Sequence, residues 1–547
     1  MNKILLFIIS AVFLYSVLFA ETPASIRISD SMEFSSSNLP IIIIDTSGRD
    51  IPDAPRISAH MGIIFNGSGN RNHITDSFNN YDGPITIELR GSSSLNYPKQ
   101  QYRFETKDNE GNDKNVSLLG LPRENDWVFH GPYDDQSQIR NVLAFKLSNQ
   151  IGRYAPRTRF CELVLNGNYR GIYVLMEKIK RDKYRVNIDK MSETDISGNS
   201  VTGGYIIKID KFSGENIGYW RSELGTVYQY HYPKADDISI EQIRYIQNYM
   251  DEFESYVNGD DANLNQLKTI EKFLDIDSLV DHFLINEFCM NVDAYRISAY
   301  MYKDRDSSGG KLTMGPIWDF NLSFGKTWWS WDMYRSDVWQ FNYNAEYPDD
   351  AFQVPFWWIK LANSPKISNK ICQRWNELRE TIFSVSHVHS LIESYTDTLS
   401  DALVRNFERW PETAKNHSYE TEIQYMKQWI SDRFNWIDKN IVKLISVNSA
   451  HLTTLPKFML HQNYPNPFNL STTVKYSISE PGFVSLKIIS VGGREVFTIE
   501  NQFKNEGSYS MTWHGNNNYG QSVSSGVYLC RLDFQQQNLV RKLLFIK

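Results

Sequence analysis

Apolar positions change their period along this chain, and the changes mark its parts. Ile41–Ile44 is an unbroken apolar run closed by Asp45-Thr-Ser-Gly48, the pattern of a buried strand ended by a turn. Ile85–Arg90 alternates with period two, as a half-buried strand does. Glu162–Leu165 and Tyr169–Met176 flank Asn166-Gly167, a dipeptide that favours the type I′ turn, so this stretch predicts a hairpin. Another strand, Tyr205–Ile209, follows Gly203-Gly204. The period then lengthens. Ile243, Ile246, Met250 and Phe253 share one face of a helix, with Asp236-Asp237 as cap candidates. Leu279, Phe283 and Phe288 predict a second helix, and Ile423, Met426, Ile430, Phe434 and Ile437 a late one. Strands followed by helices give an α+β fold class. Beyond Asn463-Tyr-Pro-Asn-Pro-Phe468 the pattern returns to short alternating strands, namely Thr473–Ile478, Val484–Ile489, Ser508–Trp513, Gly526–Leu532 and Leu539–Ile546. About seven such strands in this tail predict a small Ig-like β-sandwich.

Both ends carry further information. Lys3, the apolar run Ile4–Phe19 and small Ala20 before Glu21 have the form of a cleaved export leader, and no later run is long and apolar enough to span a bilayer. The expected organisation is a signal peptide at 1–20, a large domain at 38–445, a linker at 446–460 and a sandwich at 461–547. With 41% hydrophobic residues and 547 residues in all, the chain can bury more than one core. A net charge of −7 gives no basic face for nucleic acid, and none is expected as a partner. Cys161, Cys289, Cys372 and Cys530 are scattered, which leaves one disulfide or buried free thiols open and disfavours zinc.

Three segments carry candidate chemistry. Leu89-Arg-Gly-Ser-Ser-Ser-Leu-Asn-Tyr-Pro-Lys99 runs from a strand into a small-residue turn, whose backbone N–H groups can approach phosphate oxygens, and ends on a cation. Asn291-Val-Asp293 follows a helix and offers a carboxylate to a hydroxyl nucleophile. Gly315-Pro-Ile-Trp-Asp319-Phe-Asn321 places a second carboxylate after a short strand, and Mg²⁺ takes one or two carboxylates together with substrate phosphates. The hairpin of residues 301–312 lies between the two aspartates, so they can converge at one end of a sheet. Trp328, Trp329, Trp331, Trp339 and Phe356-Trp-Trp358 form an aromatic stretch that reads as packing first and as a ligand groove second. Asp304 and Asp306 read as a solvated hairpin turn.

In order and type these segments resemble the CotH (spore coat protein H) family of atypical kinases. The resemblance also rests on Pro98-Lys99, Asn125-Asp-Trp127, Arg140-Asn141, Leu165–Tyr173, Glu177, Gly203-Gly-Tyr205 and Trp318-Asp-Phe-Asn321. It implies a kinase-like domain with a β-rich first part and a helical second part, ATP with Mg²⁺ or Mn²⁺, and an extracytoplasmic protein as the phosphate acceptor. It implies that Asp293 is the catalytic aspartate and Asp319 the metal-binding one, with Ser298 as a weaker second ligand. Lys99 and Glu177 stand as the phosphate-binding lysine and its acidic partner, and Arg140, Ser92 and Ser93 as further phosphate contacts, with a structural salt bridge as the alternative for Arg140. The family shows two basic residues after the proline, whereas here the second is Gln100, so Lys178, Lys180 and Lys208 stand as alternative lysines.

The tail resembles the type A sorting domain of the type IX secretion system. Its marks are Asn463–Asn469, Val491-Gly-Gly-Arg494, Gly526-Val-Tyr528 and Leu543–Lys547. This implies the type IX machinery as a partner and the cell surface or medium as the destination. A secreted protein kinase, a non-catalytic surface module and a carbohydrate-acting protein are the three functions the sequence leaves open.

Overall fold

The structure is a computed structural model. It describes residues 25–29, 32–212, 218–259, 270–326, 334–414, 418–446, 458–463, 465–478, 481–535 and 537–547. The leader and most of the expected linker lie outside the described residues. So do Trp328, Trp329 and Trp331. Two compact units emerge. The first draws its described residues from Met1–Phe253, Glu271–Asp337 and Gln373–Trp436, the second from Glu254–Ile270, Val338–Cys372 and Ile437–Lys547.

The first unit begins with a closed seven-stranded barrel. Its strands are β1 (Ile41–Asp45), β2 (Ile57–Ile64), β3 (Tyr81–Arg90), β4 (Gln101–Thr106), β5 (Asp126–His130), β6 (Thr158–Leu165) and β7 (Asn168–Glu177). Helix α1 (Arg140–Gln150) lies in sequence between β5 and β6. The barrel order is β6-β7-β5-β4-β3-β2-β1, antiparallel throughout except where β6 meets β1 in parallel, from Glu162 beside Ile41 to Leu165 beside Ile44. The run at 41–44 has no polar position because both its faces are covered: Ile42 and Ile44 enter the barrel core, while Ile41 packs with Phe34, Ile64 and Tyr169 outside it. Asn166 and Gly167 both take positive φ, as the hairpin signal requires.

A five-stranded sheet follows, built from β8 (Tyr205–Ile209), β9 (Tyr219–Arg221), β10 (Val227–Tyr232), β11 (Ala299–Lys303) and β12 (Leu312–Met314) in the order β9-β10-β8-β11-β12. Helix α2 (Ile240–Asn258) comes between β10 and β11 in sequence, and its cap differs from the expected Asp236-Asp237. The Ser239 hydroxyl accepts from the Gln242 N–H, and the Gln242 side chain accepts from the Ser239 N–H, a reciprocal capping box. Helix α3 (Ile276–Cys289) is buried along nearly its whole length, followed later by α4 (Val385–Arg409) and α5 (Tyr419–Asn440). Strand and helix are mixed, with the barrel first and most of the helices after it, as an α+β reading requires.

The C-terminal strands belong to the second unit. They are β13 (Phe458–Leu460), β14 (Thr472–Ile478), β15 (Gly482–Ser490), β16 (Glu495–Lys504), β17 (Gly507–Trp513), β18 (Gly526–Phe534) and β19 (Gln537–Phe545). They form two sheets, β13-β14-β17 and β16-β15-β18-β19, closed over Val474, Tyr476, Leu486, Trp513, Leu532 and Leu543. The alternation read from the sequence placed five of these strands; β13 and β16 escaped it.

Candidate active site

The first aspartate is presented by α3. The Asp275 side chain caps this helix by accepting from the Ser278 N–H, and Met290 ends it in the left-handed conformation. The chain then folds tightly. The carbonyl of Asp293 accepts from the Arg296 and Ile297 N–H groups, and Tyr295 and Ser298 take φ of 71° and 51°. Positive φ is costly for a residue as bulky as tyrosine, and such strain gathers at functional loops. Asp293 itself is buried, with one carboxylate oxygen 3.3 Å from the Arg296 guanidinium.

The second aspartate follows β12. Asp319 also takes a left-handed φ, 63°, and its loop is stitched to the first. The Val292 N–H donates to the Leu322 carbonyl at 3.1 Å and the Phe324 N–H to the Cys289 carbonyl at 2.7 Å. Two short segments, well separated in sequence, are thus held side by side. Asp319 keeps solvent-accessible surface although protein surrounds it at longer range, which places it on the floor of a cleft. That surrounding pushes its carboxyl up to about 6; Arg90 opposes the rise, and Asp293, Asp210 and Asp134 add to it.

Asp210, just beyond β8, joins the Asp293 loop to the sheet. It pairs with the Lys208 ammonium at 2.7 Å and accepts from the Ser298 N–H at 3.3 Å. Tyr300, beside Lys208 in the β8–β11 ladder, feels the same set. Burial pushes its hydroxyl up to about 12, with Lys208 and Arg90 opposing and Asp210 and Asp319 adding. On the barrel side, Arg90 ends β3 and lies over the Trp318 ring at 5.4 Å. Four carboxylates, Asp134, Asp210, Asp293 and Asp319, therefore share one cleft with the cations Arg90 and Lys208.

A buried polar chain fixes the Asp319 loop against the barrel. Arg90 donates to the Gln101 side-chain oxygen at 3.1 Å, and His130 Nδ1 meets the same oxygen at 2.9 Å. His130 Nε2 lies 3.1 Å from the Asn141 amide nitrogen, and Asn141 Oδ1 accepts from the Phe320 N–H at 2.6 Å. The partners assign the protons. Asn141 must turn its NH₂ toward His130, so Nε2 accepts and Nδ1 carries the hydrogen. Burial lowers the His130 pKa to about 3, with Arg90 and Lys99 adding to the effect, so the ring stays neutral and the chain holds across ordinary pH.

Residues 87–437 match the family model described as CotH kinase protein, about two thirds of the chain. The chain belongs to the CotH kinase family. Residues 462–547 match the secretion system C-terminal sorting domain, so the CotH domain is followed by a type IX export signal, and the protein is a surface or secreted member of its family. No helix among the described residues is long and apolar enough to cross a membrane. No protein with a curated description matches the chain.

Similar solved structures include latent PorU of Porphyromonas gingivalis, at 17% identity, TM-score 0.15, 17% of this chain and 10% of that one. PorZ of the same organism, a surface component of its type IX secretion system, shares 20% identity, with TM-score 0.13, 18% of this chain and 13% of that one. The DNA glycosylase AlkC of Pseudomonas fluorescens shares 12%, with TM-score 0.14, 36% of this chain and 56% of that one. The chain thus spans only about a tenth of PorU and of PorZ and just over half of AlkC.

The phosphate-contact candidates read from the CotH resemblance do not all meet in the cleft. Lys99 and Glu177 are not paired. The Lys99 ammonium is buried, bonded to Asn406 Oδ1 of α4 at 2.9 Å and set over the Tyr173 ring. Burial lowers its pKa to about 7, with Cys161 opposing. Glu177 receives a two-pronged contact from Arg157 at 2.7 and 2.9 Å and lies 3.9 Å from Arg185. Arg140 is wholly enclosed between Asp135 at 2.6 Å, Glu422 at 2.7 Å and the Ser323 carbonyl at 2.9 Å. Ser92 and Ser93 are exposed in the loop after Arg90. Ser298 reaches the site through its N–H to Asp210. Of the alternative lysines, Lys208 lies in the cleft, while Lys178 and Lys180 pair with Asp126.

Asp210 carried no role in the sequence reading. Its signal was Lys208-Ile-Asp210, whose outer residues share one side of a period-two strand and its extension. Trp357 and Trp358 are buried and serve as packing, and all four cysteines are buried and unpaired. Among the described residues no three His, Cys, Asp or Glu side chains gather as a ready-made metal cage. The donor set nonetheless fits a hard cation completed by phosphate oxygens: Asp319 and Asp210 supply oxygen, and the repulsion that Asp293, Asp210 and Asp134 add to the desolvation of Asp319 is what a divalent ion neutralises.

Proposed function

We propose that the CotH domain is a secreted or surface protein kinase that moves the γ-phosphoryl group of ATP to a Ser or Thr hydroxyl of an extracytoplasmic protein. The observation that carries this reading is the stitching of the Asp293 and Asp319 loops beside Arg90, Asp210 and Lys208. Asp293 orients the acceptor hydroxyl and takes its proton as the new O–P bond forms and the bond to ADP breaks. Arg90 and Lys208 hold phosphate oxygens, and Asp319 with Asp210 holds the cation. Bound Mg²⁺ or Mn²⁺ supplies the positive charge that neutralises the transferring group. The kinase-like fold, the domain limits 38–445 and 461–547 and the Ig-like nature of the sorting domain belong to the same proposal.

A second reading, a non-catalytic surface module, draws on Lys99 and Glu177, each of which is held in a separate structural contact. The deciding experiment measures nucleotide binding and phosphate transfer by the full chain with Mg²⁺ or Mn²⁺, beside Asp293→Ala and Asp319→Ala. Transfer lost in both variants supports the kinase. A folded wild type that neither binds nucleotide nor transfers phosphate leaves the surface module.

A further inference from the structure

A groove of about 1120 Å³ runs along the first unit between the start of β6 and helix α4. Three features of it converge. The first is an open strand edge. Glu162 closes the barrel by donating its N–H to the Pro40 carbonyl, and the parallel ladder stops at that register. The next bond would need an N–H from Pro40, which proline lacks. The alternation follows from the bonds on either side: Arg157 gives its carbonyl to Glu177 of β7, and Glu162 turns toward β1. Thr158 and Phe160 therefore turn their backbone groups to the β1 side, where the ladder has ended and the groove begins.

The second feature is charge. Arg71, Lys146, Arg157 and Arg159 line the groove, and its lining includes no Asp or Glu. Arg71 meets Asp401 and Arg157 meets Glu177. Lys146 is exposed and has no carboxylate partner among the described residues, while Arg159 hydrogen-bonds to the Leu119 and Thr158 carbonyls and feels the Glu177 charge without bonding to it. This surplus of positive charge stands on a protein whose net charge is −7. The third feature is an apolar wall, where Phe160 meets Tyr395 of α4 edge-on at 5.8 Å, with Phe65 and Leu391 also in the lining.

We infer that this groove captures an extended acidic segment of a partner protein, which adds as a strand to the open edge of β6. Main-chain bonds to the Thr158 N–H and to the Phe160 N–H and carbonyl hold the segment, since the Thr158 carbonyl already accepts from Arg159; its carboxylates face Lys146 and Arg159, and its apolar side chains rest on Phe160 and Tyr395. The groove is built from residues other than those of the Asp293–Asp319 cleft, so the inference stands whether or not that cleft transfers phosphate.

The test uses the full chain and fluorescence anisotropy with a labelled peptide alternating Glu and Val. Its partners are the Lys-for-Glu peptide, two forms N-methylated on alternate amides, and an oligothymidylate strand. The Glu peptide binds, added salt weakens it, and one methylated form loses binding while the other keeps it. Lys146→Glu, at an exposed position, weakens binding about tenfold, equivalent to about 1.4 kcal/mol, without moving thermal unfolding; Arg159→Glu acts in the same direction. Equal binding of the Lys peptide, equal effects of the two methylated forms, or tighter binding of the oligonucleotide overturns the proposal.

Discussion

Replacing Arg140 by methionine separates two roles that one residue could play. The guanidinium is fully enclosed, and its partners Asp135 and Glu422 keep only 3% and 8% of their side-chain surface. Methionine fills much of the same volume but leaves two buried carboxylates without their cation. Breaking a buried ion pair from one side costs about 3–5 kcal/mol. At roughly 2 °C per kcal/mol for a unit of this size, the thermal midpoint should fall by about 6–10 °C. Circular dichroism of the full chain measures it, and adding Asp135→Asn and Glu422→Gln should recover much of the loss. Nucleotide affinity below the new midpoint should stay within about threefold of wild type, less than the factor of ten that 1.4 kcal/mol represents. An unchanged midpoint with lost nucleotide affinity would refute this account and return Arg140 to the phosphates.

Three further outcomes follow from the site. Asp319→Asn keeps a residue that tolerates the left-handed backbone and removes a carboxyl whose folded pKa is raised to about 6 from an ordinary 3.8. The unfolded form loses its proton first, so the variant should be the more thermostable at pH 8, with the difference vanishing toward pH 4; a difference that grew in acid would contradict the assignment. If phosphate oxygens sit between Arg90 and Lys208, Lys208→Met should lower transfer about tenfold or more, while Lys99→Met changes it less than threefold. A steady-state assay with both variants decides which lysine serves. The four thiols, all buried, should resist a thiol reagent in the native chain and all react after denaturation with guanidinium; early labelling of any one would show it exposed.

What the sequence disclosed tracks how local each cause is. The Ile41–Ile44 run, the Asn166-Gly167 hairpin and the three helical faces depend on neighbours a few positions away, and they appear where periodicity put them. Asp293 and Asp319 were legible as chemistry-bearing types in turn contexts. Their convergence rests on Val292–Leu322 and Phe324–Cys289 backbone bonds that no periodicity encodes. Lys99 shows the limit. A lysine after a small-residue loop reads as a phosphate ligand, but its partners Asn406 and Tyr173 come from α4 and β7, far along the chain. Asp210 was missed because Lys208-Ile-Asp210, its one local signal, looks like any strand end until the loop bearing Ser298 is folded against it. The β16 strand escaped for a simpler reason, since Glu495–Lys504 alternates poorly and is largely open to solvent.

The parallel closure of the barrel also governs the order in which the chain can fold. Ile41 waits for Glu162, 121 positions later, so β1 has only its hairpin partner β2 until β6 has been made. Until β6 is in place the chain carries a half-finished sheet, with four consecutive isoleucines beside an unsatisfied edge. Such an edge is the kind of segment on which chains associate with one another. Chains interrupted before Thr158 should therefore collect as aggregates, whereas those extended past Glu177 carry both β6 and β7, can close the ring and remove the hazard by their own geometry.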